Sequence, residues 1–300
     1  MDEIDFRLCS LLRENSRRPY RELADEVELS VNAVHSRIGN LIDSGIIGGF
    51  QTNLSEGALS GSVRIIIHGE SNFDELEGVI EELSEDENTL KIVSTSDDYL
   101  YVHGILQDIS KMSHYVEKIP DVTGIEKPEV FLPSPDRPSL NKDVELKRTD
   151  YEIINSLHDD SRKSLSEVAE ELKVSTKTVR RRINKMEEVG AIDYSIRWYP
   201  IYSDDFIGIL HGKITDGNRD KILFDIKNEH FPSVFEVEKS SNHPEKVLIK
   251  TWANTLEKIQ NLKDELRSKE YFGSIKTRMF YDIEYFDTWR EEMLREKANE

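Results

Sequence analysis

The chain has little of three things: cysteine, long apolar runs and positive charge. Its 300 residues include one cysteine, Cys9, so no disulfide can form within the chain, and the apolar neighbours of Cys9 favour a buried side chain over a reactive thiol. No stretch approaches the roughly 18 apolar residues of a membrane span, and the N-terminus is acidic where a signal peptide would be basic. We therefore expect a cytoplasmic protein with no membrane partner.

The shortage of positive charge is uneven along the chain. The formal net charge is -19, and residues 54–145 carry 7 basic against 20 acidic side chains. We divided the chain at residues 53, 145 and 198. Of the four segments, 146–198 is the one without a negative net charge, since it has 11 basic and 10 acidic side chains. The totals would repel nucleic acid, yet this segment can present a local cationic surface.

The sequence contains an internal repeat. A shift of 145 residues aligns 4–47 with 149–192 without a gap, and 13 of the 44 positions are identical. Each copy is predicted to form three helices and a strand. In the second copy Ser164 and Glu167 form a capping-box pattern, Ser175 is the N-cap of the third helix, and Gly190 ends that helix. This order predicts a helix-turn-helix with a wing.

A longer stretch follows each helix-turn-helix and reads strand, helix, strand, strand, helix, strand. That order is typical of a ferredoxin-like sandwich whose helices cover one sheet face. The predicted fold class is therefore α+β, with two copies of a winged helix-turn-helix followed by a ferredoxin-like βαββαβ sandwich. We place the first helix-turn-helix at 1–53, the first sandwich at 54–132, a proline-rich linker at 133–145, the second helix-turn-helix at 146–199, the second sandwich at 200–286, and a C-terminal helix at 287–300 that docks through Trp289 and Met293.

Matched residues recur in the two copies, each followed by the βαββαβ order: Asp5, Ser30, Val34, Arg37-Ile38 and Gly45 in the first, and Asp150, Ser175, Val179, Arg182-Ile183 and Gly190 in the second. These residues and this order resemble the Lrp/AsnC (feast/famine) transcriptional regulators of bacteria and archaea. Members normally carry one copy and dimerise through their sheets. The resemblance therefore implies that this tandem chain pairs its own sandwiches as a pseudo-dimer, and leaves further homodimerisation open.

The resemblance also implies a small-molecule effector, such as an amino acid, near the turn between the second and third sandwich strands. In the first copy this turn contains Asp97 and Asp98, and in neither copy does it contain the glycine usual in the family. The two aspartates are candidate effector contacts or simple turn formers.

The third helix of the second copy is predicted to bind double-stranded DNA. On a helical wheel Val179, Ile183 and Met186 form a buried stripe, and cationic side chains lie opposite. Arginine can bind guanine bidentately in the major groove, and lysine can neutralise phosphate. The candidate contacts are Ser175, Thr176, Lys177, Arg180, Arg181, Arg182, Asn184 and Lys185, with phosphate contacts from Arg162, Lys163 and Lys173. For Arg182, at the edge of the buried stripe, a structural ion pair and a DNA contact are both open.

The equivalent helix of the first copy lacks fixed positive charge on its outward side. Its candidate base contacts are Asn32, His35 and Ser36, with Arg37 matching Arg182, and Arg17 and Arg18 are candidate phosphate contacts. The electrostatic contribution to binding should be smaller in this copy. We therefore expect the second helix-turn-helix to be the main DNA reader.

Two other functions stay open at this point. Siroheme decarboxylases share the two-module fold, and likeness to them implies histidine and arginine side chains that hold propionates; the candidate histidines are His68, His103, His114, His211 and His243. An architectural factor could instead use the acidic first sandwich to contact basic partners. The sequence shows no metal-ligand spacing, nucleophile motif or phosphate loop, so we expect a regulator without catalytic residues, metal or cofactor.

Overall fold

The computed structural model describes residues 1–59, 61–73, 75–134, 145–215 and 217–299, and the chain divides into two compact units. The head unit comprises Asp2–Ser60, Pro135–Tyr202 and Trp289–Glu300. The sandwich unit comprises Gly61–Ser134 and Ser203–Thr288, together with Met1. Most of the predicted linker, residues 135–144, lies outside the described residues.

The first copy of the repeat folds in the predicted order of elements. Its helix-turn-helix part consists of α1 (Glu3–Glu14), α2 (Tyr20–Glu26), α3 (Val31–Asp43) and β1 (Ile47–Leu54). Its sandwich part consists of β2 (Val63–Glu70), α4 (Leu76–Ser84), β3 (Thr89–Thr95), β4 (Tyr99–Leu106), α5 (Met112–Thr123) and β5 (Glu129–Phe131). Gly124 ends α5 as its C-cap with a left-handed φ of 67°, and β5 begins five residues later.

The second copy repeats this order and adds one helix. Its helix-turn-helix part consists of α6 (Arg148–Leu157), α7 (Leu165–Glu171), α8 (Thr176–Glu188) and β6 (Ile192–Trp198). Its sandwich part consists of β7 (Phe206–Ile214), α9 (Arg219–Glu229), β8 (Val234–Lys239), β9 (Lys246–Ala253), α10 (Leu256–Ser268) and β10 (Phe272–Tyr285), and α11 (Trp289–Asn299) follows.

The helix-turn-helix turns have the same local geometry in both copies. Glu28 and Lys173, which the 145-residue shift aligns, adopt left-handed φ values of 55° and 53° just before the third helix. Ser175 then caps α8 by accepting a 3.1 Å hydrogen bond from the Thr178 amide, and Ser30 caps α3 through the Ala33 amide at 3.2 Å. The predicted capping box between Ser164 and Glu167 is also present.

The core of the head unit is apolar. Leu8, Leu12, Ile153 and Leu157 have no exposed surface, and Cys9 is equally buried, as predicted; burial raises the pKa of its thiol. Helix α11 packs against α6. Its buried anchors are Trp289, as predicted, and Leu294 rather than Met293, which is half-buried.

The strands predicted as wings of separate heads pair with each other. β1 and β6 form a two-stranded antiparallel sheet in which Phe50 lies opposite Ile196 and Thr52 opposite Tyr194. Sequence patterns assign a strand but not its partner, so this pairing could not be read from either copy alone. It joins the two helix-turn-helix copies within the head unit.

The sandwich unit contains one eight-stranded sheet in the order β5-β2-β4-β3-β10-β7-β9-β8. Each half of that order is the ferredoxin-like arrangement, and β3 pairs with β10 to join the halves. Helices cover one face in each half; in the first, Leu83 of α4 and Ile119 of α5 pack on Ile65 and Ile67 of β2.

The opposite sheet faces of the two halves meet inside the same unit. Tyr101 of β4 hydrogen-bonds His211 of β7, and Arg64 of β2 donates to Glu238 of β8 at 3.4 Å. The chain thus pairs its own sandwiches. Among the described residues, none of the helices combines the length and the apolar character needed to cross a membrane.

Candidate functional site

The outward side of α8 is an exposed cationic surface. Val179, Ile183 and Met186 are buried at 4% exposure or less, and the opposite side chains are exposed. Within the described part of the chain, no carboxylate pairs with any of the four cations that we call the α8 cations: Lys177, Arg180, Arg181 and Lys185. The following Glu187 instead accepts a 2.9 Å hydrogen bond from Tyr194. The α8 cations are therefore available to a polyanion.

The start of α8 is occupied by capping contacts. The Ser175 hydroxyl lies 2.9 Å from the Thr178 hydroxyl and accepts from the Thr178 amide, and Thr176 is half-buried. Asn184, one turn after Arg180, is exposed beside the α8 cations. The amide of Asn184 is thus presented together with the cations, whereas the Ser175 hydroxyl mainly fixes where the helix begins.

Arg182 and Arg37 hold the third helix of each head to its first helix. Arg182 donates from Nε and Nη2 to both carboxylate oxygens of Asp150, which is 2% exposed. In the first copy Arg37 donates to Asp5 at 2.7 Å and to Asp2 at 2.8 Å, and these hydrogen bonds raise the pKa of Arg37. Both arginines form the ion pair, which favours their structural role, and their contact with DNA stays a prediction.

The two heads are also joined by the residues that follow their first helices. Ser16 and Ser161, aligned by the repeat, share a buried hydrogen bond of 2.6 Å between their hydroxyls. Arg17 donates to the carbonyl of Ser161 and, at 3.4 Å, to that of Lys163, and its counterpart Arg162 donates to the carbonyl of Arg18, the equivalent of Lys163, at 3.1 Å. The pairing repeats the same contacts in both directions, as a two-fold interface does.

Most of the basic side chains that the sequence suggested for phosphate contacts have partners within the head unit. The Arg162 guanidinium lies over the rings of Tyr20 and Phe50, and burial lowers its pKa. Lys163 donates to Glu171 at 2.9 Å, and Arg18 lies 3.8 Å from Glu14. Arg17 and Arg162 lie in the interface between the heads, whereas Lys163 and Arg18 pair within their own copies. Contacts of these four side chains with phosphate stay a prediction.

The outward side of α3 is exposed but carries no charge. Asn32, His35 and Ser36 are exposed, and the His35 ring lies 5.2 Å from that of Tyr20. A Cβ added at Gly39 would meet nothing within 4 Å, so this glycine faces open space. The two heads thus share a frame and differ on the side that a duplex would meet.

The sandwich unit contains a cavity of about 600 Å³. Ring side chains form one wall: His68 Nδ1 lies 2.7 Å from the Tyr99 hydroxyl, and the ring centroids of His68 and His211 are 5.3 Å apart. Burial lowers the pKa of His68 to about 4 and that of His211 to about 3, so both are neutral at pH 7. The charged lining residues are Lys127, Lys213, Lys246, Lys276 and Arg278 with Glu70, Glu126 and Glu129.

Two of the five candidate histidines meet in this cavity. His68 and His211 are repeat-equivalent strand residues and line it together, whereas His103 is buried elsewhere in the sheet and His114 and His243 are exposed. Sequence reasoning missed Tyr99, Lys246 and Arg278. The repeat offered a signal for Tyr99 and Lys246, because they are the first residues of the equivalent strands β4 and β9.

The turn suggested for effector binding is occupied by internal contacts. Asp98 has a left-handed φ of 55° and therefore forms the turn itself. Asp97 accepts from the Thr95 hydroxyl at 2.5 Å and from the Arg278 guanidinium. The structure favours the turn-forming interpretation, and the nearby cavity is the better candidate for a ligand.

Comparison with known proteins gives sequence matches that span less than half of the chain and a structural match that spans nearly all of it. A family model described as winged helix-turn-helix DNA-binding matches residues 1–47 and 146–193. The chain is 29% identical over 133 residues to HTH-type transcriptional regulator Rv2324 of Mycobacterium tuberculosis, covering 43% of this chain and 88% of that protein. It is 27% identical over 134 residues to HTH-type transcriptional regulator Ptr1 of Methanocaldococcus jannaschii, covering 44% and 90%.

A solved structure, that of the siroheme decarboxylase NirDL, is similar over 99% of both chains, with a TM-score of 0.59 and 14% sequence identity. This likeness shows the fold. The two regulators are each matched over most of their length by about half of this chain. The winged helix-turn-helix match in both copies and the likeness to two helix-turn-helix transcriptional regulators agree with the predicted resemblance to Lrp/AsnC regulators, in a form that carries two copies of the unit.

Proposed function

We propose that the protein is a sequence-specific DNA-binding regulator of transcription in which α8 is the main reading helix. The observation that carries this proposal is the set of α8 cations, which have no carboxylate partner among the described residues. A helix buried on one side and cationic on the other fits the major groove. Arg180 and Arg181 are the candidates for bidentate contacts with guanine.

Electrostatics also support an unequal contribution from the two heads. Each phosphate that a cation neutralises contributes about -0.9 to the slope of log affinity against log salt. The α8 cations could supply four such contacts, whereas the outward positions Asn32, His35 and Ser36 supply no fixed charge. The preferred DNA site should therefore be an asymmetric pair of half-sites, with the stronger one under α8.

The proposal is tested by charge reversal with a matched control. The variant R180E/R181E should lose binding to a duplex selected by the wild-type protein, measured by electrophoretic shift. The control K258E/R267E changes two exposed cations of α10 in the sandwich unit and should bind that duplex like the wild type. Equal losses in both variants would show that only the net charge matters and would count against a reading helix.

A second candidate function is a siroheme-decarboxylase-like activity. It is favoured by the likeness to NirDL over the whole chain and by the cavity that brings His68 and His211 together. Such an enzyme would have no use for the α8 cations. A porphyrin titration followed by absorbance, with mass spectrometry of the product for loss of carbon dioxide, tests it; unchanged spectra would exclude this candidate.

A further inference from the structure

The side chains that the two repeats contribute to the cavity of the sandwich unit differ in charge at equivalent positions. Strand pairing shows the equivalent positions: His68 lies opposite Glu129, and His211 lies opposite Lys276. Likewise Tyr99 lies opposite Glu70, and Lys246 opposite Lys213. Where the first half carries Glu70, Tyr99 and Glu129, the second half therefore carries Lys213, Lys246 and Lys276. At these equivalent positions, the lysines therefore all come from the second half of the sandwich unit.

Part of this charge is already paired. Lys246 donates to Glu129 and thereby lowers the pKa of that carboxyl group, and Arg278 contacts Glu70 at 3.4 Å as well as Asp97. The Arg278 guanidinium also lies 3.6 Å from the centre of the Tyr99 ring. The remaining lining charges are three lysines without an ion-pair partner among the described residues, Lys127, Lys213 and Lys276, and one carboxylate, Glu126. The excess is two positive charges.

The ring side chains that line the cavity suit a flat, conjugated ligand. His68, Tyr99 and His211 present uncharged rings whose centroids lie between 5.3 and 5.8 Å apart, and such rings favour stacked or edge contacts with another ring system. Ligand cavities of roughly 300–1,000 Å³ enclose a drug-sized molecule, so a volume of about 600 Å³ exceeds what one small amino acid fills. The chemistry is that of a ring-bearing anion.

We propose that this cavity binds a planar, conjugated ligand with two carboxylates, which Lys213 and Lys276 hold by charge and the His68, Tyr99 and His211 rings hold by ring contacts. The claim that this ligand is the effector of the regulator rests on the proposed function. The claim that the cavity binds such a ligand does not depend on that function. Asp97 and Asp98 are not among the residues that line this cavity, and they form the neighbouring turn.

The experiment uses the full chain and naphthalene-2,6-dicarboxylate as the probe, with binding followed by probe fluorescence and calorimetry. The dimethyl ester of the same probe tests the need for charge, and uroporphyrin tests whether the cavity instead prefers a macrocycle. The diacid should bind at least about 10-fold more tightly than the ester. K213Q/K276Q should weaken binding of the diacid by about 10-fold, because two exposed charge contacts are lost.

Two control variants separate this inference from the proposed function. R180E/R181E should bind the diacid as the wild type does, even though it loses DNA, and K258Q/R267Q should be normal for both ligands. The inference is overturned if diacid and ester bind equally, if K213Q/K276Q leaves diacid affinity unchanged, or if uroporphyrin binds and the diacid does not. That last result would support the second candidate function.

Discussion

The two heads of the head unit have nearly the same frame and different outward faces. Both have a left-handed residue before the third helix, a serine N-cap, and an arginine that ties the third helix to the first. The outward positions then diverge: Lys177, Arg180, Arg181 and Lys185 in α8 align with Asn32, His35, Ser36 and Asn40 in α3. The serine N-caps and the arginines that build the frame are the same in both copies, whereas the exposed residues on the outward side differ, so function has to be argued from the outward residues.

The largest expected effect concerns DNA affinity. Charge reversal in R180E/R181E should weaken binding on the order of 1,000-fold, about 4 kcal/mol, because two attractive contacts become repulsive. The matched change in the other head, H35A/S36A, should cost only a few-fold in the same electrophoretic shift assay. Comparable losses of DNA affinity in the two variants would contradict the claim that the two heads contribute unequally.

The next effect concerns stability and compares the two structural ion pairs. Asp150→Asn leaves the Arg182 guanidinium, 12% exposed, without its charged partner and should cost about 3 kcal/mol of unfolding free energy. Asp5→Asn should cost about 1 kcal/mol or less, because Arg37 is 30% exposed and retains Asp2. Urea denaturation measures the unfolding free energy of both variants. A larger loss for Asp5→Asn than for Asp150→Asn would contradict the claim that Arg182–Asp150 is the more stabilising pair.

A third effect uses the equivalent histidines of the sandwich unit. Their folded pKa values, about 4 for His68 and about 3 for His211, lie below the usual value near 6.5, so between these values the unfolded chain binds more protons. Stability should be full above pH 6.5 and fall below it by about 1.4 kcal/mol per pH unit for each histidine.

Denaturant titrations at pH 7.5, 6.0 and 5.0 measure this effect. H68Q/H211Q should flatten the dependence on pH, whereas H114Q, which changes an exposed residue of α5, should leave it as it is. An unchanged slope in H68Q/H211Q would show that the two buried rings do not control acid sensitivity.

The smallest effect sharpens the comparison by transplanting charge. Replacing Asn32, His35, Ser36 and Asn40 by Lys, Arg, Arg and Lys copies the α8 cations onto α3. If both heads reach the duplex, the slope of log affinity against log salt should steepen by up to about 3.6, and affinity at 0.1 M salt should rise about tenfold. Filter binding at several salt concentrations measures it, and an unaltered slope would show that α3 does not reach DNA.

The sequence predicted what local chemistry determines. Capping by Ser164 and Ser175, the end of α8 before Gly190, and strands such as β4 and β7 follow from residue type and spacing, and the structure confirms them. Pairing between distant segments was not predictable in the same way. Arg17 and Arg162 carry the charge of phosphate contacts, and only the β1–β6 pairing shows that they lie in the head interface. The cavity depends likewise on how β2, β4, β7 and β10 meet.

The central claim is that the α8 cations read a base sequence in a major groove. The most direct measurement is selection of bound duplexes from random DNA by the full chain, followed by replacement of each selected guanine with 7-deazaguanine, which removes the N7 acceptor that arginine binds. The account predicts that replacements in one half-site weaken binding and that this sensitivity disappears in R180A/R181A. Failure to enrich any sequence, or a sensitivity that persists unchanged in that variant, would contradict it.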